Sequence, residues 1–193
     1  MPHPEPATVL DAWPLIEHFK GQEPSREELD RLLAGPGPRP VMSTVNFTEV
    51  CYTLAQHAGQ PAAAQRADNL RRLVRVEAPD HRTAAAAAWI KHTYRMSLGD
   101  TFAAATAMRH AAELWTGDAE LLCADRVWTT RDLRPDSLRQ LHQAAAASGA
   151  RPTGRRSGRL DHLGNEHLAA LIADTLRTSD PRRGSRPAPG IGR

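Results

Sequence analysis

Apolar and polar positions fall into blocks whose period changes along the chain. Thr8–Asp11 is a short β-branched and apolar run ending in an acid, the pattern of a buried strand. Trp13, Leu15, Ile16 and Phe19 then recur at helical spacing, and Lys20-Gly21 ends that element. SREELDRLLAG, from Ser25, predicts a second helix with Glu28 as capping-box partner and Gly35 as the stop. GPGPRP at 35–40 breaks regular structure and leads into a strand over Val41–Val45. Asn46-Phe47-Thr48-Glu49 reads as another N-x-x-E helix start, and Phe47, Val50, Cys51 and Leu54 form its apolar stripe.

Beyond Gly59 and Pro61 the segment PAAAQRADNLRRL predicts a helix, Val74–Glu77 a marginal strand and His81–Tyr94 an alanine-rich helix. Ser97–Leu122 is the centre of the chain: a polar turn, an alanine-rich helix, a brief strand and a second polar turn. Arg126–Thr130 with Asp132-Leu133 predicts a last short strand. Alternating strands and helices indicate an α/β sandwich with a largely parallel sheet. DSLRQLHQAAAASG predicts a terminal helix and ARPTGRRSGR a basic linker. Asn165–Arg177 carries Leu168, Leu171, Ile172 and Leu176 on one face, and the end after Thr178 reads as disordered.

The 193 residues suffice for one domain plus an appendage. No apolar run approaches the length of a membrane span, and the N-terminus lacks a secretory pattern, so a cytoplasmic protein is expected. Two cysteines, Cys51 and Cys123, exclude a disulfide framework. The sequence pI of about 9.3 comes from the tail. Residues 150–193 hold nine arginines against four acids, whereas 1–149 hold 16 basic and 18 acidic side chains. A slightly acidic globular part argues against a broadly basic nucleic-acid-binding domain.

Four acids occupy strand-to-helix junctions or turns: Asp11, Glu49, Asp100 and Asp118. Each has an ordinary explanation as a cap or a turn residue. In an open α/β sheet, however, all four gather beyond the carboxyl ends of the strands, where ligands bind. Packed together they repel one another unless a cation neutralises them. Oxygen-only ligands select Mg²⁺, with Mn²⁺ as the alternative, over Zn²⁺. The nine histidines show no HxxxH pair, and GxSxG, P-loop and GxGxxG motifs are absent.

VLDAW at 9–13, NFTEV at 46–50, SLGDTFAAATAMRHAAELWTGDAELL at 97–122 and RDLRP at 131–135 resemble PIN-domain proteins, more narrowly the VapC toxins of type II toxin–antitoxin systems. The resemblance covers about residues 8–135. It implies a three-layer α/β/α sandwich over residues 1–135 with a mainly parallel sheet, followed by a C-terminal extension over 136–193. It further implies Mg²⁺-dependent endoribonuclease activity, with the acidic set falling on Asp11, Glu49, Asp100 and Asp118. Thr116 matches the hydroxyl residue that supports metal-bound water in similar proteins, and Glu120 extends the acids. An RNA substrate, a cognate antitoxin and a homodimer are the partners implied. Arg71, Arg72, Arg75, Arg126, Arg131 and Arg134 are candidate phosphate contacts. Two other readings stay open: a PIN nuclease acting on DNA, and a catalytically silent interaction module.

Overall fold

The computed structural model describes residues 8–22, 25–147 and 165–177. The basic linker and the Arg-rich end anticipated above lie outside the described residues. In chain order the elements are β1 (Thr8–Leu10), α1 (Ala12–Lys20), α2 (Ser25–Ala34), β2 (Val41–Ser43), α3 (Thr44–Ala58), α4 (Gln60–Leu73), β3 (Arg75–Glu77), α5 (His81–Thr93), α6 (Leu98–Arg109), β4 (Glu113–Thr116), β5 (Thr130–Asp132), α7 (Asp136–Ala147) and α8 (Asn165–Arg177).

The five strands form one parallel sheet in the order β3-β2-β1-β4-β5. Val9 pairs with Val41 on one side of β1 and with Leu114 on the other. The chain builds outward from β1 through β2 to β3, then crosses back to lay β4 on the other flank of β1. The seam between β1 and β4 is therefore the switch point of the sheet, where the crevice at the carboxyl ends of the strands opens.

Successive strand residues point to opposite faces, and the core divides accordingly. Val9, Val41 and Leu114 join a cluster with Ala86, Ala87 and Ile90 of α5 and the alanines of α6. Leu10 and Met42 join a second cluster with Leu15, Leu29, Val50, Leu54 and Leu70 of α1–α4. Helices thus cover both faces of the sheet, the three-layer sandwich expected for a PIN-like chain. Ala103, Ala104, Ala105 and Ala107 are fully buried, so α6 is apolar on nearly every side, as a helix enclosed by neighbours must be.

Three local expectations are revised. α3 begins at Thr44 behind an N-cap at Ser43, whose hydroxyl accepts from the Val45 N–H, so Asn46 lies inside the helix and caps nothing. The Ser25 hydroxyl donates to the Gln22 carbonyl, and Glu28 is paired with Arg131 of β5 at 2.8 Å instead of closing a capping box. The last strand is confined to Thr130–Asp132. Of the stripe anticipated in α8, Leu168 and Ile172 are fully buried in the α5–α6 cluster and Leu176 packs against it, whereas Leu171 is exposed.

Candidate metal centre

Asp11 follows β1 directly and occupies the N-cap position of α1, yet its side chain makes no capping bond there. It turns into the seam. Its Oδ1 accepts from Nδ2 of Asn46 at 3.1 Å and its Oδ2 from the Thr116 hydroxyl at 2.9 Å. Thr116, the last residue of β4, also accepts the Asp118 N–H at 2.9 Å, and Asp118 Oδ1 accepts the Glu120 N–H at 2.7 Å. One hydroxyl thereby ties the end of β1 to the turn after β4.

Asp100 enters from the facing helix. It completes a capping box at the start of α6, with Oδ2 accepting from the Ser97 N–H while the Ser97 hydroxyl accepts from the Asp100 N–H. The structural role and membership of the acidic set coincide in this residue. Asp100, Asp118 and Glu120 each bring a carboxylate oxygen within 4.8 Å of the others. Asp11 and Glu49 stand outside this trio: Asp11, with both oxygens engaged, feels the charges of Asp100 and Asp118, and Glu49 of α3 feels that of Asp118. A Cβ at Gly99 would stand 2.9 Å from Oε2 of Glu49, so the missing side chain there lets Glu49 reach the α6 N-terminus.

Burial pushes the Asp11 carboxyl up to about 7, helped by Asp100 and Asp118 and opposed by the Thr116 hydroxyl and the Ala12 N–H. Asp100 is pushed up to about 6, again first by burial and then by Asp118. Burial and Asp118 also raise Glu49. These shifts are the mark of carboxylates crowded into low dielectric without a counter-charge. A divalent cation is the neutralising group that such oxygen donors fit.

Asn46 is the residue the sequence reading missed. It is fully buried, and its Nδ2 bridges Asp11 and the Gly99 carbonyl, each at 3.1 Å. Two acceptors on that side fix which way the amide points. Its Oδ1 has no partner among the described residues, a buried oxygen left over beside the acids. The only sequence signal was its place three residues before Glu49, which also fits a helix cap.

Most of the candidate phosphate-binding arginines are engaged elsewhere. Arg75 pairs with Glu77, Arg131 with Glu28 while stacking on Trp115, and Arg134 with Asp132. The Arg126 guanidinium donates to the Cys123 carbonyl, and Arg71 lies over the Phe47 ring.

A family model for the PIN domain matches residues 8–126. A search of curated proteins finds no match. Among solved structures, a toxin–antitoxin complex from Klebsiella pneumoniae aligns at 22% identity and a TM-score of 0.50, covering 61% of this chain and 91% of the other. VapC20 of Mycobacterium tuberculosis, a sarcin–ricin loop cleaving toxin, aligns at 18% identity and 0.50, covering 60% and 93%. VapBC2 of Rickettsia felis, bound to a promoter DNA fragment, aligns at 11% and 0.54, covering 66% and 99%. At these identities the likeness is one of fold. The neighbours are spanned almost whole by less than two thirds of this chain.

Proposed function

Since the chain belongs to the PIN-domain family, with a family model spanning more than half its length, we propose that it is a divalent-metal-dependent endoribonuclease of the VapC type, the toxin of a toxin–antitoxin pair. The observation that carries the reading is the acid set at the β1–β4 seam. Asp100, Asp118 and Glu120 converge within 4.8 Å, and burial raises Asp11 and Asp100 well above the ordinary carboxyl range.

Asp100, Asp118 and Glu120 would hold Mg²⁺ or Mn²⁺, with Asp11 and Glu49 completing the anionic shell. When bound, such an ion supplies Lewis-acid stabilisation of a phosphodiester and a more acidic water. The protein's own contribution is placement. Thr116 and Asn46 fix the orientation of the Asp11 carboxylate, with one hydrogen bond to each oxygen. The capping box locks Asp100 on the α6 N-terminus, whose positive end favours an anionic substrate. Attack by water on phosphorus with departure of the ribose oxygen then cleaves the strand.

Residues 1–135 are read as the nuclease unit and 136–193 as its extension. No helix among the described residues is long and apolar enough to cross a membrane. The proposed setting is cytoplasmic, as a homodimer, with an antitoxin as the inhibiting partner. The test is cleavage of RNA and of DNA by the full chain with Mg²⁺, Mn²⁺ or EDTA. RNA cleavage that EDTA abolishes is the expected result. Cleavage of DNA alone moves the substrate assignment, and no cleavage of either leaves an interaction module.

A further inference from the structure

Trp13 stands two residues after Asp11, in the first turn of α1. Its neighbours Ala12, Pro14 and Leu15 are buried, whereas Trp13 is partly exposed and belongs to neither apolar cluster. Its ring is nevertheless firmly seated. A Cβ at Gly117 would come within 2.5 Å of Cη2 and Cζ3 of the indole and 2.6 Å of Cε2, so the ring rests on the bare Cα of that glycine. Gly117 does not have the positive φ of Gly21 and Gly59. Glycine is required there for space, not for backbone conformation.

The turn that receives the indole is the one between Thr116 and Asp118. The ring is therefore seated against the turn that carries Asp118, two residues along the chain from Asp11 on its own side. Among the described residues no ring or cation stacks on it, in contrast to Trp115 under Arg131 and Trp128 beside Tyr94. A partly exposed indole held by backbone, outside the core and beside a phosphodiester-cleaving centre, has the form of a stacking platform. Nucleobases bind such platforms whatever their sequence, provided that they are unstacked from their own neighbours.

We infer that Trp13 stacks the base of a nucleotide next to the cleaved phosphodiester. This rests on the nuclease reading above and names a residue that would hold its substrate. Trp13 is a specificity-determining residue and takes no part in proton transfer. A stacking contact made equally before and during reaction changes KM while leaving kcat alone.

The test uses the full chain as wild type, Trp13→Phe, Trp13→Leu and Trp89→Leu, the last altering an exposed tryptophan on α5. The probes are a labelled 12-residue oligoadenylate and a ribose-phosphate 12-mer lacking bases, read by anisotropy in EDTA. Wild type and Trp89→Leu should prefer the oligoadenylate. Trp13→Leu should lose about five- to a hundredfold of that preference, and Trp13→Phe should retain most of it. With any RNA that the wild type cuts, Trp13→Leu should raise KM and keep kcat.

A Trp13→Leu protein with wild-type preference for the bases overturns the inference. So does one that weakens on both probes alike, which would mark the ring as a purely structural support. If the chain cuts no RNA, the nuclease reading falls by itself, while the base-dependent binding still decides what Trp13 does.

Discussion

Replacing Asp100 by asparagine should make the metal-free protein more stable and catalytically dead. The carboxyl is raised from 3.8 to about 6 by burial and by the charge of Asp118, with Glu120 adding to it. Each pKa unit corresponds to about 1.4 kcal/mol, so holding Asp100 ionised costs the fold about 3 kcal/mol at most. Asparagine keeps the capping box, because its oxygen still accepts the Ser97 N–H now bound by Oδ2. The other end becomes an NH₂ donor facing carboxylates. After rearrangement of its neighbours, a gain of about 1–3 kcal/mol is expected, or roughly 3–10 °C in melting temperature for a chain of this size.

The sign with pH follows from the direction of the shift. A folded pKa above the unfolded one means that the native state holds its proton longer. Stability is complete below about pH 4 and is lost as the pH rises through about 6. The advantage of Asp100→Asn should therefore be largest at pH 8 and shrink to about a third of that value near pH 4.5. Mg²⁺ should raise the wild-type melting temperature at pH 8 by mass action and raise that of the variant far less. Thermal melts in EDTA and in Mg²⁺ at the two pH values, with an RNA cleavage assay, check every part. A variant that melts at or below the wild type in EDTA at pH 8, and still gains fully from Mg²⁺, would refute the reasoning.

Other perturbations separate the parts of the site and of its scaffold. Asn46→Ala removes both Nδ2 bonds, one of them to a carboxylate, and should cost about 1–3 kcal/mol in denaturant melts and lower kcat at least tenfold. Gly117→Ala drives a methyl into the indole and should cost about 1–3 kcal/mol. In the Gly117→Ala/Trp13→Leu double variant most of that loss should disappear, a coupling measurable by a double-mutant cycle. Ile172→Ala opens a hole under α8 and should lower stability by about 2–5 kcal/mol, read by urea unfolding.

The acids were legible because residue type and position carry the same message. Asp11 ends an apolar strand, Asp100 sits at a helix start, and Asp118 follows a strand-ending threonine. Local rules failed where one pattern serves two purposes. N-x-x-E at Asn46 and S-x-x-E at Ser25 both read as capping boxes. Yet α3 is capped three residues earlier by Ser43, and Glu28 reaches across the molecule to Arg131. Arg131 looked available for phosphate for the same reason: its partner lies 103 residues away in sequence. The stripe of α8 was readable from Leu168 and Ile172. Its docking place was not, since the polar segment before it carries no apolar pattern to dictate where the helix returns.

That docking place bears on the chemistry. Asp11 and Glu49 are carried by elements of the cluster that includes α1 and α3, and Asp100 by α6 in the cluster on the other sheet face. A site assembled from two cores is only as fixed as the relation between them, and its crowded carboxylates push them apart. Beside the β1–β4 ladder and the Asp11 N–H on the Trp115 carbonyl, the side-chain ties at the seam are Thr116 to Asp11, and the Asn46 amide from Asp11 to the carbonyl of Gly99 in α6. Leu168 and Ile172 add apolar burial to the cluster that holds α6. A helix beyond the family match thus steadies the element that presents Asp100. Loosening it should weaken Mg²⁺ binding as well as the fold, although no residue of α8 belongs to the acidic site.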